Sequence, residues 1–366
     1  MLARSFHPSR CAASRCFTPR CTISSRLDHG SASPSLKLLN KPDYQSRLIT
    51  SKPSSKQSLT KILDSHSICY KRNSSLPEPI KKEDKHTLAA AHRFFIHPKS
   101  TTTNRFLYSA AQLSDHPANP CVPEVLVIGA SNAGKSTFIN ALLGVPGVAL
   151  VGQTPGSTTL QNVYSVGLPR DWDFRNLASW SVKPAGTGLY IVDSPGYGFG
   201  SAKSFHDALT AYLEKRTACR GVVLLLPLNK EMRPIDTGVL DHLAGMNKRT
   251  IVLLTKADTA KSDWAQKWAQ RANYIRDTMK RIDRKGPSGS GRWTEGEGWN
   301  PDIHVIAAGA RGRTASSNTA GMGGARRAIL ELAGYNLKGT VAEEDPSVAS
   351  YGGDIVPFDE IQYKSQ

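Results

Sequence analysis

Eight consecutive residues, Gly129-Ala130-Ser131-Asn132-Ala133-Gly134-Lys135-Ser136, carry the spacing G-x-x-x-x-G-K-[ST]. This is the pattern of a phosphate cradle. Its glycines let the backbone N–H groups of Ser131, Asn132, Ala133 and Gly134 close around phosphate oxygens, and a helix beginning at Lys135-Ser136-Thr137 adds the partial positive charge of its N-terminus. Lys135 is placed to reach the terminal phosphates, and the Ser136 hydroxyl to ligate Mg²⁺. A glycine-rich turn before an ordinary helix is the bland alternative; the flanking residues argue against it.

A second group of residues selects the base. Thr255-Lys256-Ala257-Asp258 follows the apolar run Thr250-Ile251-Val252-Leu253-Leu254. A carboxylate at the end of a strand can accept two hydrogen bonds from the N1–H and N2–H₂ edge of guanine. Adenine lacks those donors, so a desolvated Asp258 would be left unpaired against ATP. Lys256 would lay its aliphatic stem along the base. Asn usually opens this motif; Thr255 offers only a hydroxyl. Between the two groups lies Asp193-Ser194-Pro195-Gly196, a D-x-x-G segment. Asp193 would support Mg²⁺ through water, and the Gly196 N–H would bond a γ-phosphate. Upstream, Thr154-Pro155-Gly156-Ser157-Thr158-Thr159 offers Thr158 as a ligand for metal and γ-phosphate. On sequence alone this stretch reads equally well as a Pro-Gly turn. Lys135, Thr158 and Gly196 are the expected groups at the transferring phosphoryl. Ala307-Ala308-Gly309 occupies the place of the last base-contacting loop, where the N–H groups of Ala307 and Ala308 are expected to meet the guanine O6.

These groups need strands and helices to hold them. Glu124–Ile128 and Leu189–Asp193 are short apolar runs of buried-strand type, and Lys135–Leu143 continues as a helix. Helices are expected over Ser204–Thr217, Ile235–Met246 and Asp263–Ile282, the last with an apolar stripe Trp264, Trp268, Ile275, Met279, Ile282. That stripe reads as core packing. The other side of the same helix carries Lys267, Arg271, Lys280 and Arg281, either a solvated face or a contact for RNA phosphate. No aromatic set for unpaired bases is evident. The expected fold is one P-loop α/β G domain: a mainly parallel six-stranded sheet with one antiparallel strand, helices on both faces, and ligands at the C-terminal strand ends.

With these residues in place, the chain resembles the EngB-type branch of translation-factor-class GTPases. The likeness rests on Ser131-Asn132-Ala133-Gly134-Lys135-Ser136, Thr154-Pro155-Gly156, Asp193-x-Pro195-Gly196-Tyr197-Gly198 and Thr255-Lys256-Ala257-Asp258. Phe106-Leu107-Tyr108-Ser109-Ala110, Pro123-Glu124-Val125 and Tyr212-Leu213-Glu214-Lys215-Arg216 are similar as well. The resemblance implies GTP and GDP as ligands with Mg²⁺, and a partner in the ribosomal large-subunit particle or its rRNA. Three departures stand out. Leu226-Pro227-Leu228-Asn229 replaces an Asp-Ile-Arg segment, Ala307-Ala308 replaces a serine-containing loop, and Ser157 stands where the family tends to have Arg. Tyr197 follows Gly196 where many GTPases place a water-orienting glutamine. Asn132 fits two roles: organising a K⁺ ion in place of an arginine finger, or bonding locally within the loop. Slow GTP hydrolysis is the expected activity. A signalling switch with negligible hydrolysis is the alternative, and a nucleotide kinase is disfavoured by D-x-x-G and T-K-x-D.

The chain has 366 residues and a formal net charge of +17. Residues 1–86 contribute +10, residues 87–335 +11 and residues 336–366 −4. The first 27 residues hold Arg4, Arg10, Arg15, Arg20 and Arg26 and no acid. They lack an apolar core of secretory type, and Arg-rich, Ser-containing, acid-poor composition marks a mitochondrial matrix presequence. Residues 28–86 read as a disordered linker, residues 87–335 as the G domain, and residues 336–366 as an acidic flexible tail. No apolar run is long enough for a transmembrane span. The six cysteines form neither a zinc spacing nor a disulfide framework. A monomer is expected. Residues 168–188 and 284–299 are read as insertions.

Overall fold

The structure is a computed structural model that describes residues 68–70, 78–79, 85–96, 102–151, 160–175, 188–198, 202–259, 264–285, 293–309 and 320–337. All of them lie in one compact unit, Lys56–Gln366. Its centre is a parallel sheet of apolar runs. These strands are β4 (Glu124–Gly129), β6 (Leu189–Asp193), β7 (Cys219–Pro227), β8 (Thr250–Thr255) and β9 (Ile303–Val305). β4 pairs in parallel with β6 on one side and β7 on the other, and β7, β8 and β9 follow in parallel register. Every residue of β4, β6 and β8 is buried. Continuous burial, rather than alternation, is what a parallel sheet covered on both faces requires.

β5 (Gln161–Pro169) pairs antiparallel with β6, completing the expected six strands with one antiparallel member. The sheet continues beyond them. β3 (Thr102–Ala110) adds antiparallel to β5 as one edge, with register shifts between Thr103 and Arg105 and between Phe106 and Tyr108. At the other edge β1 (Ile68–Tyr70) pairs with β9, and β2 (Glu78–Pro79) with β1. Among the described residues the sheet therefore has nine strands, in the order β2-β1-β9-β8-β7-β4-β6-β5-β3. The two outermost short strands fall inside the stretch read as linker, where two- and three-residue strands leave no periodic signal.

Among the described residues six helices pack on this sheet. α6 (Met322–Ala333) contacts both α1 (Lys85–Phe95) and α2 (Lys135–Leu143). On the other side α3 (Ala202–Lys215) touches α4 (Pro234–Gly245) through His206 and His242, whose rings lie 3.7 Å apart, and α4 packs on α5 (Trp264–Lys285). The last three helices match the expected spans within three residues. The apolar stripe of α5 is core, as expected: Trp268, Ile275, Met279 and Ile282 are buried.

Two polar fasteners hold the phosphate-loop helix and the strand before it. At the start of β4, buried Glu124 accepts from the Tyr212 hydroxyl at 2.6 Å and from Arg216 at 2.8 Å. Arg216 also donates to the Pro117 carbonyl. At the far end of α2, fully buried Arg326 of α6 donates to the carbonyls of Ala141 and Leu142 at 2.7 and 3.2 Å, and its guanidinium lies 3.4 Å from the His92 ring of α1. Asn104 of β3 donates to the Leu143 carbonyl at 2.8 Å and to the Phe95 carbonyl. Carbonyls at a buried helix C-terminus have no partner within the helix, and these donors satisfy them.

Candidate nucleotide-binding site

β4 delivers Gly129 to the C-terminal edge of the sheet, and the loop turns into α2 over five residues. Two of them have left-handed backbone, Asn132 at φ 64° and Gly134 at φ 90°. Asn is among the few residues other than glycine that tolerate this conformation, which accounts for Asn132 on backbone grounds alone. Gly129 has no room for a side chain: an added Cβ would lie 2.9 Å from the Leu225 carbonyl oxygen. Lys135 is buried, and its Nζ donates to the carbonyls of Gly129 and Ala130 at 3.2 and 3.3 Å. Burial lowers its pKa, while the Asp193 carboxylate works the other way. Ser136 and Thr137 lie half-buried in the first turn.

Asp193 ends β6 beside this loop. It is buried, and burial raises its pKa to about 7 against the opposing pull of Lys135. Its Oδ1 has no hydrogen-bond partner. A buried orphan acceptor beside a phosphate loop is the oxygen that a hydrated Mg²⁺ would satisfy, so the residues present fit the metal. Ser136 and Asp193 would hold it, and bound Mg²⁺ would neutralise charge on the β- and γ-phosphates. Thr158, the third expected metal group, lies outside the described residues, as does the whole segment Thr154–Thr159.

The D-x-x-G segment is stitched to the loop. The Ser131 N–H donates to the Tyr197 carbonyl at 3.0 Å, the Tyr197 N–H to the Gly129 carbonyl at 3.3 Å, and the Ser131 hydroxyl to the Gly196 carbonyl at 3.3 Å. A Cβ on Gly196 would fall 2.7 Å from Ser131 Cα, so only glycine permits this approach. Tyr197 does not face the phosphate region. Its side chain is buried, its ring centroid 5.3 Å from that of Phe205 on α3, with Arg233 6.0 Å over the ring. Burial, then the neighbouring Asp236 carboxylate, pushes the phenol far up from its ordinary pKa, so it stays protonated. Asp236 is itself buried and pairs with Arg233 at 3.3 Å.

The base end is built from β8 and β9. Thr255 is buried, and its hydroxyl donates to the Ala133 carbonyl at 2.6 Å. It therefore ties the base motif to the phosphate loop; its hydroxyl is already engaged there. Lys256 has left-handed backbone at φ 62°, and its Cε lies 3.9 Å from where a Gly134 Cβ would stand. The lysine stem thus spans the loop. Asp258 is half-buried beside Gly309, where a Cβ would sit 2.9 Å from its Oδ2. Three expected amide contacts need correction: the Ser131 N–H is engaged by the Tyr197 carbonyl and the Ala133 N–H by the Ala130 carbonyl at 3.0 Å, so neither is free for phosphate. Ala307 is buried and its N–H donates to the Ala320 carbonyl at 3.0 Å, so that amide is not free for a base. The segment that borders Asp258 is Ala308-Gly309, and Gly309 is a site residue that a side-chain inventory overlooks. Leu228, in the segment that departs from the family pattern, donates its N–H to the Thr255 carbonyl at 2.9 Å.

Residues 124–256 match the family profile described as 50S ribosome-binding GTPase. The chain is 33% identical over 162 residues to a probable GTP-binding protein EngB of Chlorobium phaeobacteroides, covering 43% of this chain and 74% of that protein. It is 32% identical over 169 residues to the Nitrosococcus oceani protein of the same name, covering 45% and 74%. A Paraburkholderia phymatum namesake is 33% identical over 190 residues, covering 50% and 76%. The profile match spans the phosphate loop, the buried Asp193 and the start of the base motif at Thr255-Lys256, and the chain belongs to the EngB family of GTP-binding proteins.

Proposed function

We propose that the protein is a Mg²⁺-dependent GTPase of slow intrinsic turnover that acts in assembly of the large ribosomal subunit inside mitochondria. The observation that carries the catalytic part is the meeting of Lys135, the orphan Oδ1 of Asp193 and the Gly196 approach at the C-terminal end of the sheet, with the base motif of Asp258 and Gly309 tied to the same loop through Thr255 and Ala133. The ribosomal part is supported by the family profile's description and by the basic surplus of the chain. The mitochondrial part is supported by the Arg-rich, acid-free first 27 residues. Asn132 is exposed at the rim of the loop, where a K⁺ ion could add to the charge on the phosphates.

The test is turnover of GTP by the full chain, alone and with mitochondrial large-subunit particles, in K⁺ and in Na⁺. Particles are expected to accelerate hydrolysis and to co-sediment with the protein in a non-hydrolysable GTP analogue but not in GDP. A reporter carrying residues 1–86 is expected to enter mitochondria; a cytosolic signal would refute the localisation. Burial of Tyr197 favours a second reading, a nucleotide switch without useful hydrolysis, because that side chain cannot orient water. Turnover unchanged by particles, with state-dependent association intact, would select it.

A further inference from the structure

We propose that the outer face of α5 is an RNA-binding surface in which a line of cations grips phosphates and Tyr274 stacks on an unpaired base. The proposal deepens the ribosomal reading by naming the contact, and it rests on features outside the nucleotide site.

α5 is 22 residues long, roughly 33 Å at the helical rise. It is held rigidly. Its inner stripe of Trp268, Ala272, Ile275, Met279 and Ile282 is buried, and the Arg276 guanidinium donates to the Pro301 carbonyl at 2.7 Å. The sequence of the helix holds seven basic and two acidic residues. Lys267, Arg281 and Arg284 are exposed, and Arg271 is half-buried, reaching across to the Lys230 carbonyl. That contact brings the exposed Lys230 alongside. Asp277 is the one carboxylate at these positions of α5, and Glu231 and Asp236 act on Arg271 from the neighbouring segment; Asp283 lies on another quarter of the helix. Positions 267, 271, 274, 281 and 284 recur at intervals of three, four and seven, which keeps them on one side.

Tyr274 stands in the middle of this line and is 47% exposed. The remaining large apolar side chains exposed among the described residues are Phe106, Leu150, Val151 and Leu160, none on α5. Among the described side chains the face thus joins several cations to a single aromatic with no apolar patch around it. A protein partner of ordinary affinity needs an apolar, charge-depleted centre. A nucleic-acid backbone needs cations, and an unpaired base needs one flat ring. The observations favour RNA.

The experiment measures binding of the full chain to single-stranded oligouridine across a salt series, with GTP affinity, and co-sedimentation with large-subunit particles, followed in parallel. The variant Lys267→Glu/Arg281→Glu/Arg284→Glu is expected to lose tenfold or more in RNA affinity at low salt. Its plot of log affinity against log salt should be shallower by about 2, since each phosphate contact to a single strand contributes roughly 0.7. Tyr274→Ala is expected to weaken binding about fivefold without changing that slope, because stacking releases no counterions. GTP affinity should stay at the wild-type value in both, which also shows that they fold; the neutral Lys267→Gln/Arg281→Gln/Arg284→Gln variant repeats the test with less repulsion. The basic N-terminal segment is the same in all variants and cancels in the comparison. Unchanged RNA affinity and slope in the reversal variant would overturn the proposal. So would polyglutamate binding as tight as RNA, which would assign the face to acidic proteins. RNA binding lost by the variant, with no particle association even in the wild type, would sustain this inference and sink the ribosomal role.

Discussion

Single residues decide which nucleotide is held and in which state. Asp258, set against Gly309, is the proposed base reader. Asp258→Asn is expected to lose GTP affinity and gain xanthosine triphosphate, because an amide can donate to the altered base edge. Competition between the two nucleotides measures it, and equal GTP binding by variant and wild type would end the assignment. Tyr197 acts at one remove. Its buried ring and its backbone bonds to Gly129 and Ser131 fix the Gly196 N–H beside the phosphate loop. Tyr197→Ala is expected to weaken a GTP analogue about tenfold while GDP affinity stays constant, and Tyr197→Phe to restore the ratio. A general loosening of the domain would lower both affinities together. The motif spacings made Lys135, Asp193 and Asp258 legible in the sequence, because chemistry fixes residue type there. Thr255 and Ala307 were less legible. Whether a hydroxyl or an amide faces the ligand or a neighbouring carbonyl depends on contacts across 122 residues in one case and on the turn before α6 in the other.

At the level of elements, the phosphate-loop helix is a short rod fastened at its outer end. Only nine residues long, it relies on Arg326, Asn104 and the left-handed Gly144 to close its last turn. The strand that feeds it is fastened at the opposite end by Glu124, Tyr212 and Arg216. In the sequence those three residues were visible only as family resemblance; the structure shows a nearly dry ion pair linking β4 to the end of α3. Removing one partner of such a pair leaves a buried charge, which costs about 3–5 kcal/mol. Arg216→Met is therefore expected to lower the unfolding free energy by that order in urea titration, and Glu124→Gln/Arg216→Met together by less than Arg216→Met alone. A loss under 1 kcal/mol for Arg216→Met would show that solvent reaches the pair. Buried strands and the amphipathic α5 were legible because burial imposes continuous or helical apolar patterns. The strands β1, β2 and β3 were not: β1 and β2 are too short to show a pattern, and β3, with one neighbour, needs none.

Across the whole molecule the acid limit of stability is written partly in His304. It is fully buried on β9 with both ring nitrogens unpaired, and burial, with Arg327 nearby, lowers its pKa from 6.5 to about 3. The unfolded chain takes up this proton below pH 6.5 and the folded chain does not until about pH 3. Stability therefore falls with acidification across that window, by at most about 1.4 kcal/mol per pH unit from this residue. His304→Leu is expected to flatten the acid limb of a melting-temperature profile relative to wild type. Parallel limbs would show that the ring is hydrated. The raised pKa of Asp193 acts in the opposite sense as pH rises towards 7, and it is common to both proteins, so it drops out of the difference. Finally, the broken register of β3 governs how copies of this chain behave in a crowd. A nine-residue outer strand with Phe106 turned to solvent is a ready template for ribbon growth by other chains. The two slips, on either side of Arg105-Phe106, interrupt the even ladder that such growth must copy. A passing strand can match only a few steps before it falls out of phase, and the border is thereby made a poor template for aggregation.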